Sequence, residues 1–264
     1  MSTRFIKYVE GDSTVHKLDP RAKLTFLFFL VSSLTVSYHI FLVIPLLLIS
    51  LLFYFLAKLP WNKTKGTWKF ILTIILVLSL LNYLTIVLLY SKGPLTEVLT
   101  SPDALRRALT PVLKLLALAV ATVTVVFTTP PNLYAPALGQ MGFPYKAAYI
   151  IQLALRYIPE FIAEMNKTLE AQMARGFRPR GGRNPLAKLF SIIPLVVPVT
   201  ISATLSIYDI ADSMELRGFG EESCHTWYRE LKLTGKDKFL VIASYFLGAV
   251  YITLFILNLI SSPS

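Results

Sequence analysis

Charge is sparse in this chain, and negative charge sparsest of all. Only 16% of its 264 residues are Asp, Glu, Lys or Arg, against about 25% in an average soluble domain. Fifteen are acids and 26 are bases, leaving a net charge of +11. Cysteine occurs once, as Cys224, so no internal disulfide can form. Cys224-His225 lacks the further ligands that zinc demands. The three histidines, His16, His39 and His225, share no metal-binding spacing. No His-Glu-x-x-His sequence and no G-x-x-x-x-G-K-[ST] loop is present, which excludes the common zinc-protease and nucleotide-phosphate sites. The bases form no stripe with interleaved aromatics, so nucleic acid is not an expected partner. The first 24 residues are polar and mixed in charge, without the basic-then-apolar pattern of a cleavable signal.

What the chain has in abundance is apolar sequence. Hydrophobic residues make up 55% and the mean hydropathy is +0.61, values of a polytopic membrane protein. A spanning helix needs about 20 mainly apolar residues. The first apolar block, Leu24 to Ala57, is broken by Ser37-Tyr38-His39 and reads as a tight helical hairpin, 22–38 and 40–57. Asp19-Pro20 opens it as N-cap and first helical residue. A loop from Lys58 to Lys69 follows, with four lysines and no acid, the signature of a cytoplasmic connection. Further spans are expected at 68–90, 104–129 and 238–260. The fold class is therefore all-α, with about five transmembrane helices. Three regions result: a membrane bundle over 1–130, a cytoplasmic region over 131–237, and a last span within 238–264.

The middle region has a different texture. Residues 144–175 read as one long helix, apolar at first and then amphipathic, with Arg156, Glu160, Glu164, Lys167 and Glu170 interrupting the apolar positions. Charges that dense do not suit a span. Asn184-Pro185 signals a second long helix, to about residue 217. Its stretch Leu189–Ile207 is apolar enough to resemble a span, but is expected outside the bilayer. Asp209, Asp212 and Glu215 share one face near its end, an ordinary solvated position, and Arg156–Glu160 has the i, i+4 spacing of a routine helix pair. Met141, Met165, Met173 and Met214 suit either core filling or an adaptable surface. Alternation of the spans places the N-terminus and the middle region in the cytoplasm.

Both long helices end alike, as Ala174-Arg175-Gly176-Phe177 and Leu216-Arg217-Gly218-Phe219. A glycine beyond a helix end and a base in its last turn are common stop signals. The repetition after two helices of similar length points further, to a pair of guanidinium tips. Each can fork onto carboxylates or carbonyls of a partner, with phenylalanine as an apolar anchor. On these motifs, and on His16-Lys17-Leu18-Asp19-Pro20-Arg21-Ala22-Lys23-Leu24 before the first span, the chain resembles EcfT, the T component of energy-coupling factor (ECF) transporters. That family's coupling helices end in Ala-Arg-Gly. Leu216 departs from it, whereas both arginines are kept.

The resemblance implies a non-catalytic coupling subunit of an ABC-type importer in a bacterial cell membrane. Two ATPase subunits would each receive one tip, contacting Ala174, Arg175 and Gly176 or Leu216, Arg217 and Gly218, with support from Phe177 and Phe219. A membrane-embedded S component would carry a vitamin or other micronutrient. ATP and magnesium would belong to the ATPases, and this chain would hold no cofactor. The competing reading, a self-contained secondary transporter or intramembrane enzyme, needs a set of polar or ionisable groups at mid-membrane depth; such groups are nearly absent from the spans, Arg106, Arg107 and Lys114 lying near the outer end of the fourth.

Overall fold

The computed structural model describes residues 8–90, 102–177, 193–221 and 230–261. Among them are eight α-helices and no strand: α1 (Pro20–Val36), α2 (Ile40–Ala57), α3 (Trp61–Tyr90), α4 (Pro102–Thr128), α5 (Tyr134–Gln140), α6 (Tyr145–Ala174), α7 (Ile193–Glu215) and α8 (Gly235–Ser261). The protein is an all-α polytopic membrane protein. Backbone contacts divide it into two units, one built on Lys7–Leu133 with Leu231–Ser264 and the other on Tyr134–Glu230.

Local sequence explains the first two helices. The Asp19 carboxylate accepts the Arg21 N–H at 2.9 Å, and Pro20 supplies the fixed φ of a first turn. Ser37, Tyr38 and His39 form the expected break. α2 stops at Lys58, a non-glycine residue in the left-handed region with φ 47°. Two expectations are corrected. The lysine-rich stretch 58–69 is helical from Trp61 onward, because lysine is a good helix former and only Gly66 resists. Further, α1 and α2 do not pack as a hairpin: α1 lies chiefly against α8, and α2 against α4.

Packing explains that exchange of partners. α1 offers Phe26, Leu30 and Leu34 at four-residue spacing, and α2 offers Val43, Leu46, Ser50 and Phe53. α4 meets them with Ala117 and Ala121, small residues that let helix backbones approach closely where lipid provides no hydrophobic drive. On α8, a Cβ added to Gly248 would lie 2.4 Å from the Phe29 ring of α1, so this contact requires glycine. The Tyr251 hydroxyl of α8 donates to the Leu42 carbonyl of α2 at 2.7 Å.

Length and apolarity single out five helices able to cross a bilayer: α2, α3 over Trp61–Thr85, α4 over Ala108–Thr128, α7, and α8 over Gly235–Asn258. The number is the expected one, but the membership differs. α1 has 17 residues, about 26 Å at 1.5 Å per residue, at the lower limit of the about 17–25 residues of a spanning helix. α7 enters the set because its acids, Asp209, Asp212 and Glu215, crowd its last two turns and leave an uninterrupted apolar stretch before them.

One end of the larger unit is tied by buried polar groups. At the start of α8, Asp237 accepts the Thr234 N–H at 2.8 Å and also its hydroxyl, the carboxylate half of a capping box. The other Asp237 oxygen accepts the Asp19 N–H at 2.8 Å, joining the starts of α8 and α1. Lys23, also buried, donates from Nζ to the Thr128 carbonyl at the end of α4, 3.1 Å away. Val9 N–H donates to the Phe127 carbonyl, and Arg21 Nη2 to the Leu231 carbonyl. Residues 8–19 are themselves clasped by His16, whose Nε2 lies 2.9 Å from the Val9 carbonyl and Nδ1 2.6 Å from the Ser13 hydroxyl. A neutral ring satisfies both bonds, Nε2–H donating and Nδ1 accepting.

Burial pushes the His16 pKa below its ordinary 6.5; the Val9 carbonyl opposes this, while the Lys23 charge reinforces it. With the folded pKa depressed, the clasp contributes fully above pH 6.5 and is lost as pH falls through the lowered value. Histidine NMR titration is expected to give His16 a pKa under 6.5, and a value above it overturns the neutral clasp. Asp237→Ala orphans the buried Asp19 N–H and removes the partner of the part-buried Thr234 N–H, and is expected to cost about 2 kcal/mol, since one buried unsatisfied group costs about 1–3. A lowered melting temperature in detergent, with partial recovery in Asp237→Asn, is the readout.

Candidate functional site

The two Arg-Gly-Phe sequences fold into the same structure. At the end of α6, the Gly176 N–H donates to the Met173 carbonyl at 3.0 Å and the Phe177 N–H to Gln172 at 2.9 Å. At the end of α7, the Gly218 N–H donates to Glu215 at 2.8 Å and the Phe219 N–H to Met214 at 3.0 Å. This paired pattern is the Schellman cap, which satisfies the last carbonyls of a helix by turning the chain through a left-handed residue. Gly176 and Gly218 occupy that position with φ of 89° and 70°. The arginine is the capping residue both times. It leaves the helix where the backbone reverses, so both Arg175 and Arg217 are exposed. Among the described residues neither forms an ion pair.

The surroundings of the tips differ. Phe219 packs against the rings of Tyr149 and Tyr145, at centroid distances of 4.7 and 5.8 Å. Arg217 borders a cleft of about 450 Å³ with Arg156, Tyr157, Asp209 and Ser213. Tyr145 and Tyr149 were not legible as site residues. Their i, i+4 aromatic spacing at a helix start was the signal. Ala174 and Leu216 are exposed, Leu216 at 89%, and Phe177 is half-buried. Asp209, Asp212 and Glu215 are exposed too, and among the described residues no group of three or more His, Cys, Asp or Glu side chains is placed to hold a metal ion. Asn184-Pro185, Cys224 and His225 lie outside the described residues.

α6 and α7 run antiparallel. The start of α6, at Tyr149 and Leu153, faces Met214 and Arg217. Farther along, Glu160, Phe161 and Glu164 face Ser202 and Ala203 across a mainly apolar groove of about 300 Å³. Arg217 thus sits beside the beginning of α6, whereas Arg175 sits at its end. From Tyr149 to Arg175 the helix rises about 40 Å at 1.5 Å per residue. The two arginines therefore lie at opposite ends of one rod. The rod has almost no core: among its described long-helix residues only Ala148 and Val199 are buried. Ile150, Met165 and Met173 on α6, and Val197, Ile201, Leu205, Ile207 and Tyr208 on α7, are all more than 40% exposed. Apolar surface this extensive marks a face made to be covered.

Comparison with known proteins is consistent across the chain. The family model described as CbiQ, cobalt transport protein, matches residues 11–227. The chain is 32% identical over 249 residues to the energy-coupling factor transporter transmembrane protein EcfT of Leuconostoc gelidum, covering 88% of this chain and 89% of that one. It is 29% identical to the protein of the same name from Bacillus subtilis, over 92% and 95%, and 30% identical to that of Clostridium kluyveri, over 88% of each.

A Cβ at Gly176 would meet nothing within 4 Å, and at Gly218 only Glu221 Oε2 at 3.5 Å. Replacement by alanine is therefore costly through the backbone alone, about 1–2 kcal/mol for the left-handed conformation. Gly176→Ala and Gly218→Ala are expected to accelerate amide exchange at Phe177 and Phe219 respectively, by about 5- to 30-fold. Unchanged protection at both amides contradicts the shared cap.

Proposed function

Because the chain belongs to the CbiQ/EcfT family, the transmembrane components of energy-coupling factor transporters, we propose that it couples two ABC-type ATPase subunits to a membrane-embedded S component. The observation that carries this reading is the rod with one capped arginine at each end. A single partner site would need one tip. Two tips about 40 Å apart along the axis suit two equivalent grooves on a two-subunit motor. Each exposed guanidinium can fork onto a groove carboxylate or carbonyls, and each rigid cap fixes where that guanidinium starts.

The rod lies on the cytoplasmic side in this reading, and its charges support that placement. α6 carries Lys146, Arg156, Glu160, Glu164, Lys167 and Glu170, too many for a bilayer core. α7 packs antiparallel along it and shares its orientation, despite being apolar enough to span. In the larger unit, the end tied by Asp237 gathers Lys17, Arg21, Lys58, Lys63, Lys65, Lys69, Lys236 and Lys238, the bias of a cytoplasmic face. The uncovered apolar faces of α6 and α7 are the surface for the S component. The S component carries the cargo, a vitamin or other micronutrient, and ATP with magnesium acts in the ATPases. This chain is a non-catalytic subunit that transmits their closure to the S component.

Arg175→Ala combined with Arg217→Ala is expected to insert normally, lose co-purification of the ATPases, and abolish ATP-driven uptake. Either single variant is expected to weaken assembly by at least tenfold, the loss of one charge-assisted contact of about 1.5–3 kcal/mol. Uptake at the wild-type rate in the double variant defeats the proposal.

A further inference from the structure

Lys114 is set within the apolar stretch Ala108–Thr128 of α4, where an ionisable side chain ordinarily marks a site. It faces a cavity of about 580 Å³ lined by Tyr38, His39, Ile40, Phe41, Arg106, Thr110, Pro111 and Lys114. Arg106, Thr110 and Lys114 recur every four residues and so share one face of α4. The facing wall is the α1–α2 connection. Lys114 Nζ lies 6.0 Å from the centre of the Tyr38 ring, a cation–π distance. Among the described residues the lining contains two basic side chains and an imidazole but no carboxylate, and neither base forms an ion pair there. The cavity lies at the start of α2 and near the start of α4, hence at one boundary of the spans, opposite the end tied by Asp237.

The apolar surface continues from this cavity. Phe41 at its rim begins a stripe down α2 through Ile44, Leu48, Leu52 and Phe55, exposed at 73, 41, 59, 61 and 71%. The three- and four-residue steps keep these side chains on one face of the helix. Tyr38, 68% exposed, is an interfacial residue by chemistry. A cationic cavity at the boundary with an apolar track running inward from its rim has the outline of a phospholipid. A snorkelling lysine alone does not explain Arg106 on the same face of α4.

We propose that this cavity is a binding site for an anionic phospholipid. Lys114 and Arg106 contact its phosphodiester, and its acyl chains lie along the Phe41–Phe55 stripe of α2. The occupant is a lipid rather than a free phosphate, because the track begins at the cavity rim and the charge complementarity supplies only the headgroup contact. The site is separate from the arginine tips and stands without the coupling reading.

The test is native mass spectrometry of the full chain released from mild detergent. With added phosphatidylglycerol, the wild type is expected to retain one lipid more strongly than with phosphatidylcholine. Lys114→Gln and Arg106→Gln are each expected to weaken retention about fivefold, the worth of one base near an anionic headgroup, and Lys114→Arg to keep it. Lys65→Gln, at the opposite end, is the unaffected control. Should the glutamine variants misfold, the wild type alone decides, through the contrast between the two lipids. Equal retention of the two lipids overturns the proposal, as does full retention in a folded Lys114→Gln, Arg106→Gln double variant. Displacement of phosphatidylglycerol by millimolar inorganic phosphate overturns it in favour of a phosphate site.

Discussion

The larger unit depends on helix ends being satisfied where water is scarce. Four carbonyls and four N–H groups are left over at the ends of every helix, and a bilayer offers them nothing. Asp237 answers this for two helices at once: one carboxylate caps α8 through Thr234 and reaches the N–H of Asp19, itself the cap of α1. Lys23 answers it for a third by donating to the Thr128 carbonyl of α4, a cation at the negative end of a helix dipole. Because these bonds are buried, they hold the starts of α1 and α8 level with the end of α4. The small-residue contacts of Ala117 and Ala121 then determine how closely the helices lie. The segment Leu18-Asp19-Pro20-Arg21-Ala22-Lys23, which resembles a family signature, is therefore a structural knot rather than a binding motif.

The middle unit follows a different economy. It makes two long helices, closes the C-terminus of each with a Schellman cap, and buries almost nothing between them. Propensity and i, i+4 pairs rarely sustain helices in water without a packed face. The exposed isoleucines, valines and methionines along α6 and α7 are thus a stability requirement met from outside. That requirement and the coupling reading point the same way: the surface that most needs covering is the one a membrane-embedded partner would use.

Much of this was legible in the sequence because its signals are local. Asp19-Pro20 marked the start of α1, Ser37-Tyr38-His39 the break, and both Arg-Gly-Phe sequences the ends of α6 and α7, each within about two residues. Caps and breakers act within one turn, so no tertiary information is needed. What escaped is non-local. The preference of α1 for α8 depends on Gly248 admitting Phe29, about 220 residues away in the chain, and no periodicity encodes it. Asp237 stands at the end of a polar linker before the last span, and nothing local signals its bond to Asp19. The lysines at 58–69 suggested a loop by their charge, yet lysine's helix propensity prevailed once Pro60 had opened the turn. The membership of the spanning set was ambiguous for a physical reason: α7 is apolar on more of its circumference than α6 covers, so composition alone cannot distinguish lipid from protein as its surroundings.

The antiparallel arrangement changes what the paired tips can do. Had α6 and α7 run parallel, Arg175 and Arg217 would lie side by side and follow one ATPase subunit. Placed at opposite ends, each would follow a different subunit in the coupling reading, and approach of the two subunits would become a change in the angle or sliding of the rods. Tightly interdigitated helices resist such a change, since packed cores transmit strain instead of absorbing it. Here the middle of the pair is a groove of about 300 Å³, where Ala154, Ser202, Ala203 and Ser206 stand among larger side chains such as Leu153 and Phe161, so the helices leave a gap there and shear is the motion it permits. In the coupling reading the rigid elements are the two Schellman caps, where displacement would enter, and the compliant element is the groove between the helices, where it would reorient the exposed apolar faces. A coupling device needs that order of stiffness, rigid at its ends and soft at its crossing, and this helix pair has it.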